Sequence, residues 1–313
     1  MDPIPACDPV PKRWLWDAFA QRKSNLDLVL ELRRLTNIPM LSDELPDKPQ
    51  ASDDRSETFS LTILADDLDG DGIHEYVVTI AGSWTGCFLI LKEQPDTALR
   101  VLLCMEQSRW DYIGRPLPKI FDAQGEGGKL ICLPEHHIDG TGLYETGAHF
   151  YRIIRGRPRE VFVVPLESRQ FWTTNPVFWD NRTEFAVTRD RIRLATTYSY
   201  LARVSGDYAQ RTEIISGTFR WECKYDPHQT RYVVDATVDK DRSKIACLQE
   251  GVFLSNFADI IQAFRNELNV TLTSGSPEQK EAVRQLMSKF KDNTVGHRGR
   301  TLGRRRPRAT ISR

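Results

Sequence analysis

Along the chain the apolar positions change their period twice. In residues 11–35, PKRWLWDAFAQRKSNLDLVLELRRL, the residues Trp14, Leu15, Ala18 and Phe19, and then Leu28, Leu32 and Leu35, recur at helical spacing, with Leu26, Val29 and Leu30 widening the stripe. This pattern predicts an N-terminal helix. Residues 37–56 are rich in Pro and Asp and read as a linker. From Glu57 to about Leu254 the chain breaks into short β-branched and aromatic runs divided by Gly, Asp and Pro turns. They include FSLTILA, YVVTIAG, FLILK, RVLLCM, KLICL, HFYRII, EVFVV, FAVT, TEIISGTFRWE and RYVVDATV. Strands this numerous, with no helices alternating between them, predict an antiparallel β body and exclude a Rossmann or α/β-barrel enzyme.

Helical period then returns. Ser255 or Asn256 can cap a helix with Phe257, Ile260, Ile261, Phe264 and Leu268 on one face. Ser276-Pro277-Glu278-Gln279 is a capping box with proline at the first helical position. The helix it opens carries Val283, Leu286, Met287 and Phe290. The expected organisation is an N-terminal helix and linker over 1–56, a β domain over 57–254, two C-terminal helices over 255–292 and a disordered basic tail over 293–313. The fold class is mainly β, with the body propeller-like or a sandwich.

Composition adds one asymmetry. The 313 residues balance 43 basic against 43 acidic side chains, but seven arginines and no acid lie in Asn293–Arg313. Setting those seven aside leaves an acidic body of charge −7. The body is therefore not expected to attract nucleic acid or anionic lipid, and any such attraction belongs to the tail. No apolar run approaches the roughly 18 residues of a membrane-spanning helix. Six cysteines form no C-x-x-C pair, which disfavours a zinc ribbon or a thioredoxin-type site. Cys87, Cys104 and Cys132 sit in apolar runs and are read as buried thiols, with disulfides open to an exported chain. The sequence shows no basic stretch followed by an apolar one at its start, so no signal peptide is expected; Ile4-Pro5-Ala6-Cys7 resembles a lipoprotein cleavage site only by coincidence.

The densest chemistry lies in Asp67–Glu75, DLDGDGIHE. Asp67, Asp69 and Asp71 stand at positions 1, 3 and 5, with Gly70 and Gly72 supplying turns. Carboxylates crowded this closely repel one another. A hard divalent cation relieves that repulsion and takes oxygen ligands at about 2.3–2.6 Å. The Ile73 carbonyl falls at position 7 and Glu75 at position 9. An EF-hand is excluded, because its position-12 glutamate is Val78 and the segment after Glu75 reads as a strand.

DLDGDGIHEYVVTIAG resembles the calcium-loop segment of FG-GAP or VCBS-type repeats, the units of integrin α-type propellers. The likeness covers about sixteen residues, Asp67–Gly82. It implies calcium held by Asp67, Asp69, Asp71, Glu75 and the Ile73 carbonyl, and it implies export. Glu75 stands where that family has aspartate. Weaker copies of the loop begin at Asp122, Asp180 and Asp239, at a spacing suited to four-stranded blades.

Other constellations carry less. His136, His137, Asp139 and His149 lie in one segment, PEHHIDGTGLYETGAHF, without a recognised ligand spacing, and are read as histidines of a loop. G-x-S-x-G, H-E-x-x-H and P-loop motifs are absent. Phe171, Trp172, Phe178 and Trp179 are read as core aromatics, with a contact surface as the alternative. Asn181-Arg-Thr183 and Asn269-Val-Thr271 are sequons, relevant only to a secreted eukaryotic protein. The expectation is a non-enzymatic calcium-binding β-repeat protein acting as a binding or structural subunit with a protein partner, extracellular or periplasmic if the resemblance governs. The rival expectations are a hydrolase with a pocket on the β body and a nucleic-acid-associated protein working through its arginine tail.

Overall fold

The computed structural model describes residues 9–36, 60–81, 85–96, 98–108, 117–123, 128–139, 143–170, 177–203, 211–235, 241–249 and 257–293. The linker, the loop copy at Asp239, the aromatics Phe171 and Trp172, and the tail beyond residue 293 lie outside them.

The body is mainly β and antiparallel, as expected. Its first sheet has five strands: β1 (Val10–Pro11), β2 (Ser60–Asp66), β3 (Glu75–Ala81), β4 (Thr85–Glu93) and β5 (Ala98–Ser108), in the spatial order β1-β5-β4-β3-β2. The second has eight: β6 (Lys119–Phe121), β7 (Leu130–Asp139), β8 (Leu143–Ile154), β9 (Arg157–Gln170), β10 (Val177–Val187), β11 (Arg191–Arg203), β12 (Arg211–Asp226) and β13 (Arg231–Val234). These follow one another as an unbroken meander and curl into a half-barrel. The described strands are thus grouped five and eight, not in fours.

The two sheets face each other. Val77, Phe88, Ile90, Leu102 and Leu103 of the five-stranded sheet pack on Ile131, Leu133, Tyr151 and Ile153 of the other. The opposite face of the five-stranded sheet, through Tyr76, Val78, Ile80, Leu89 and Leu91, is covered by two helices, α1 (Lys12–Phe19) and α2 (Asn25–Thr36). Burial on both faces explains why YVVTIA and CFLILK run apolar without alternation. β11, with one face inward, alternates strictly along most of its length.

The single N-terminal helix expected over 11–35 is therefore two. Gln21 takes a positive φ of 50° and turns the chain back. Ser24 Oγ then accepts the Asp27 N–H at 3.1 Å and caps the second helix. The turn lets both helices lay their apolar residues on one sheet. Trp14, fully buried, donates its indole N–H to the Leu28 carbonyl at 2.8 Å and joins the pair.

Among the described residues, four helices close the other end: α3 (Arg242–Gln249), α4 (Phe257–Ala263), α5 (Arg265–Ser274) and α6 (Pro277–Asn293). The helical periodicity of the sequence predicts two, and α3 lies in the stretch whose pattern predicts strands. Asp241 Oδ1 accepts the Lys244 N–H and starts α3. The helices bury Ile260, Phe264, Leu268, Val283 and Leu286 against Trp179, Tyr198 and Tyr200 of the half-barrel. The expected capping box is formed: Ser276 Oγ accepts the Gln279 N–H at 3.2 Å, and Gln279 Oε1 accepts the Ser276 N–H at 2.8 Å. None of the five described cysteines is in a disulfide, and Cys87, Cys132, Cys223 and Cys247 are buried.

Candidate metal centre

The acidic loop joins β2 to β3 at one end of the layer between the sheets. Leu68, inside the loop, is fully buried in that layer. Its carbonyl accepts the Lys129 N–H at 2.8 Å, and its own N–H is donated to Glu75 Oε2 at 2.7 Å. A hydrophobic residue at position 2 thus pins the loop to both sheets, while the aspartates on either side stay near the surface.

Each aspartate is aimed by backbone N–H groups. Asp67 accepts from Gly70 at 2.8 Å with Oδ1 and from Gly72 at 3.0 Å with Oδ2. Asp69 Oδ1 accepts from Asp71 at 3.3 Å, and Asp71 Oδ1 from Ile73 at 2.9 Å. Gly70 and Gly72 have φ of 78° and 84°, conformations that favour glycine. The structure thereby brings Asp67, Asp69 and Asp71 together, with one ligand atom from each lying within 4.8 Å of the others. One ion can span that separation. Ile73 is an exposed residue of the same loop, and Glu75 is fully buried at the start of β3.

Lys92 on β4, which no local motif of the sequence marks, completes the constellation. Its ammonium lies 2.7 Å from Asp69 Oδ2, 2.7 Å from Asp71 Oδ2 and 2.6 Å from Glu75 Oε1. The Glu75 contact is an ion pair between two buried side chains. Burial works against the ammonium, but its three acids outweigh that and raise the Lys92 pKa. Burial also raises the Glu75 pKa, with Lys92 and the Leu68 N–H only partly opposing it. The partners differ because the lysine draws on three acids, whereas the glutamate faces one cation in a fully buried position. Lys92, followed by the Ile73 N–H, lowers the Asp71 pKa. A signal for Lys92 lies in the strands themselves: aligning EYVVTIA with GCFLILK end to end as a hairpin pairs Glu75 with Lys92, which is the observed register.

The other candidates separate. Asp122 meets the loop through Lys129, whose ammonium is 2.6 Å from Asp66 and 3.6 Å from Asp122. Asp180 is not in a loop at all, but within β10 opposite Arg169 and Ser199. The segment read as a histidine loop is instead the hairpin β7–β8. His149 there lies 2.8 Å from Glu160, and the side chains of His136, His137 and Asp139 are outside the described residues.

Among the cavities on the described surface are the following two. One, of about 420 Å³, follows the cross-strand row Phe185, Leu194 and Trp221, with Glu184, Arg193, Arg220 and Glu222 beside it. The other, of about 530 Å³, lies between the α1–α2 turn and Leu61 and Ile63 of β2. Neither lining includes histidine or cysteine. Among the described residues, no helix is long and apolar enough to cross a membrane.

Comparison with protein-family models, with curated proteins and with solved structures gave no match.

Proposed function

We propose that the chain is a non-enzymatic calcium-binding β protein that serves as a binding or structural subunit. The observation that carries this reading is the convergence of Asp67, Asp69 and Asp71 on one small volume. Hard carboxylate oxygens of this number suit a hard divalent ion, and an irregular, glycine-bearing loop suits calcium better than the stricter octahedron of magnesium. Lys92 offsets only one of the four nearby carboxylate charges, whereas a divalent ion offsets two. Because Leu68 ties the loop to both sheets, an ion that tightens the loop also tightens the junction between the sheets. In this reading calcium is structural, and partner binding uses the surface that the junction holds in shape.

Calorimetric titration of the full chain with calcium chloride, beside Asp69→Ala and Asp71→Ala, tests it. Heat of binding and a rise in melting temperature are expected for the natural chain, and loss of both in the variants. The reading fails if millimolar calcium gives neither heat nor a melting shift.

A further inference from the structure

Lys92 is more than a neighbour of the acidic loop. Of the loop's three aspartates, two give the ammonium an oxygen at 2.7 Å, and the fully buried Glu75 gives it another at 2.6 Å. Lys92 itself is 7% exposed, so its charge has little water around it and rests on these three acids. Its place is fixed by the β3–β4 ladder, in which Glu75 and Lys92 are directly opposite. Side chains opposite each other in antiparallel strands project to the same face, so the lysine is carried to the loop by register rather than by chance.

We propose that Lys92 is the loop's resident cation and that a divalent ion enters only by displacing it. The inference rests on the calcium reading above and concerns how that site is regulated. A metal ion and an ammonium sharing the oxygens of Asp69, Asp71 and Glu75 would stand only a few ångströms apart. Their repulsion in a poorly solvated place excludes joint occupancy. A cation tethered on the adjoining strand competes at an effective concentration that dilution does not change. It keeps the loop closed when free cation is scarce, and it restricts loading to surroundings rich in calcium.

The test compares the natural chain with Lys92→Met, each titrated calorimetrically with calcium chloride and each melted in chelator. Removing the tethered competitor is expected to tighten calcium binding by about tenfold or more. In chelator the variant is expected to melt below the natural chain, and adding Asp71→Asn to it is expected to recover part of the loss. Lys92→Gln, whose amide can still reach the carboxylates, carries the same titration if the methionine variant does not fold. Equal calcium affinity in natural chain and variant overturns the displacement proposal while leaving the calcium reading in place. Binding seen only in the variant supports displacement and overturns calcium loading of the natural chain. No binding in either overturns both.

Discussion

The carbonyl of Leu68 and the α-carbon of Gly128 are in such close approach that a Cβ on the glycine would lie 2.3 Å from the oxygen. The acidic loop of one sheet and the chain entering β7 of the other therefore meet backbone to backbone. The contact continues inward, since the Gly128 carbonyl accepts from the fully buried Arg152 at 2.9 Å. Arg152 in turn donates to the Tyr232 hydroxyl at 3.1 Å and stacks 4.6 Å above the Tyr225 ring.

Gly128→Ala should expose this approach. The residue has a φ of 64°, and the added carbon also meets the backbone of Asp69 at 3.0 Å. A loss of about 2–4 kcal/mol is expected from strain and overpacking together. Gly70→Ala is the control, with a φ of 78° but nothing within 4 Å of the new carbon, and only the conformational cost of about 1 kcal/mol is expected. Urea unfolding of the two variants measures the difference, and equal losses would remove the role given to the contact.

The anchoring of the loop is open to a second measurement. Leu68 is fully buried and Ile73, in the same loop, is 39% exposed. Leu68→Ala is expected to cost about 2–5 kcal/mol, as for truncation in a core. Ile73→Ala should stay within about 0.5 kcal/mol. Denaturant midpoints decide this, and a small effect at Leu68 would mean that the loop is not pinned there.

At the far end of the chain, Ser276→Ala removes the acceptor of the Gln279 N–H. The first turn of α6 then keeps an unsatisfied donor, and a loss of about 1 kcal/mol is expected. Ser276→Asn restores an acceptor and should recover most of it. The same unfolding assay reads both.

Glu222 is expected to contribute to stability in acid. Arg193, at 2.8 Å, lowers its pKa; burial opposes this, and Arg191 adds to the lowering. A carboxylate with a folded pKa below its unfolded one stabilises the fold above the ordinary glutamate value, about 4.3, and that stability is lost as pH falls through the lowered pKa. Glu222→Gln is therefore expected to flatten the fall in stability below about pH 4.3 without removing it, since Glu93, Asp226 and Asp241 are lowered as well. Unfolding midpoints between pH 3 and 7 give the slope, and an unchanged slope would contradict the assignment.

Much of this architecture is legible in the residues, for identifiable reasons. Strands buried on both faces announce themselves as unbroken apolar runs, and the capping box at Ser276 acts over three residues. The β2–β3 loop is equally local, because its aspartates are aimed by N–H groups no more than five residues away. What escapes the sequence is set by distance or by a single dihedral. Lys92 reaches the loop only through strand register. Gln21 divides one helical stripe into two by adopting a conformation its side chain does not advertise. Arg152 sits in HFYRII at a position where alternation points inward, yet groups far along the chain, the rings of Tyr225 and Tyr232, and the Gly128 carbonyl help to hold its guanidinium there. The loop-like spacing at Asp180 belongs to a strand.

The order of the strands has a consequence for assembly. In the eight-stranded sheet every strand lies beside its neighbours in sequence, so each pairing closes only the short connection before it and costs little chain entropy. That sheet can be laid down progressively as the chain is synthesised. The five-stranded sheet cannot be finished in this way, because Val10 pairs with Leu99 and must wait for β5. β1, made before the other four strands of its sheet, thus waits for β5 before it can be sealed in place.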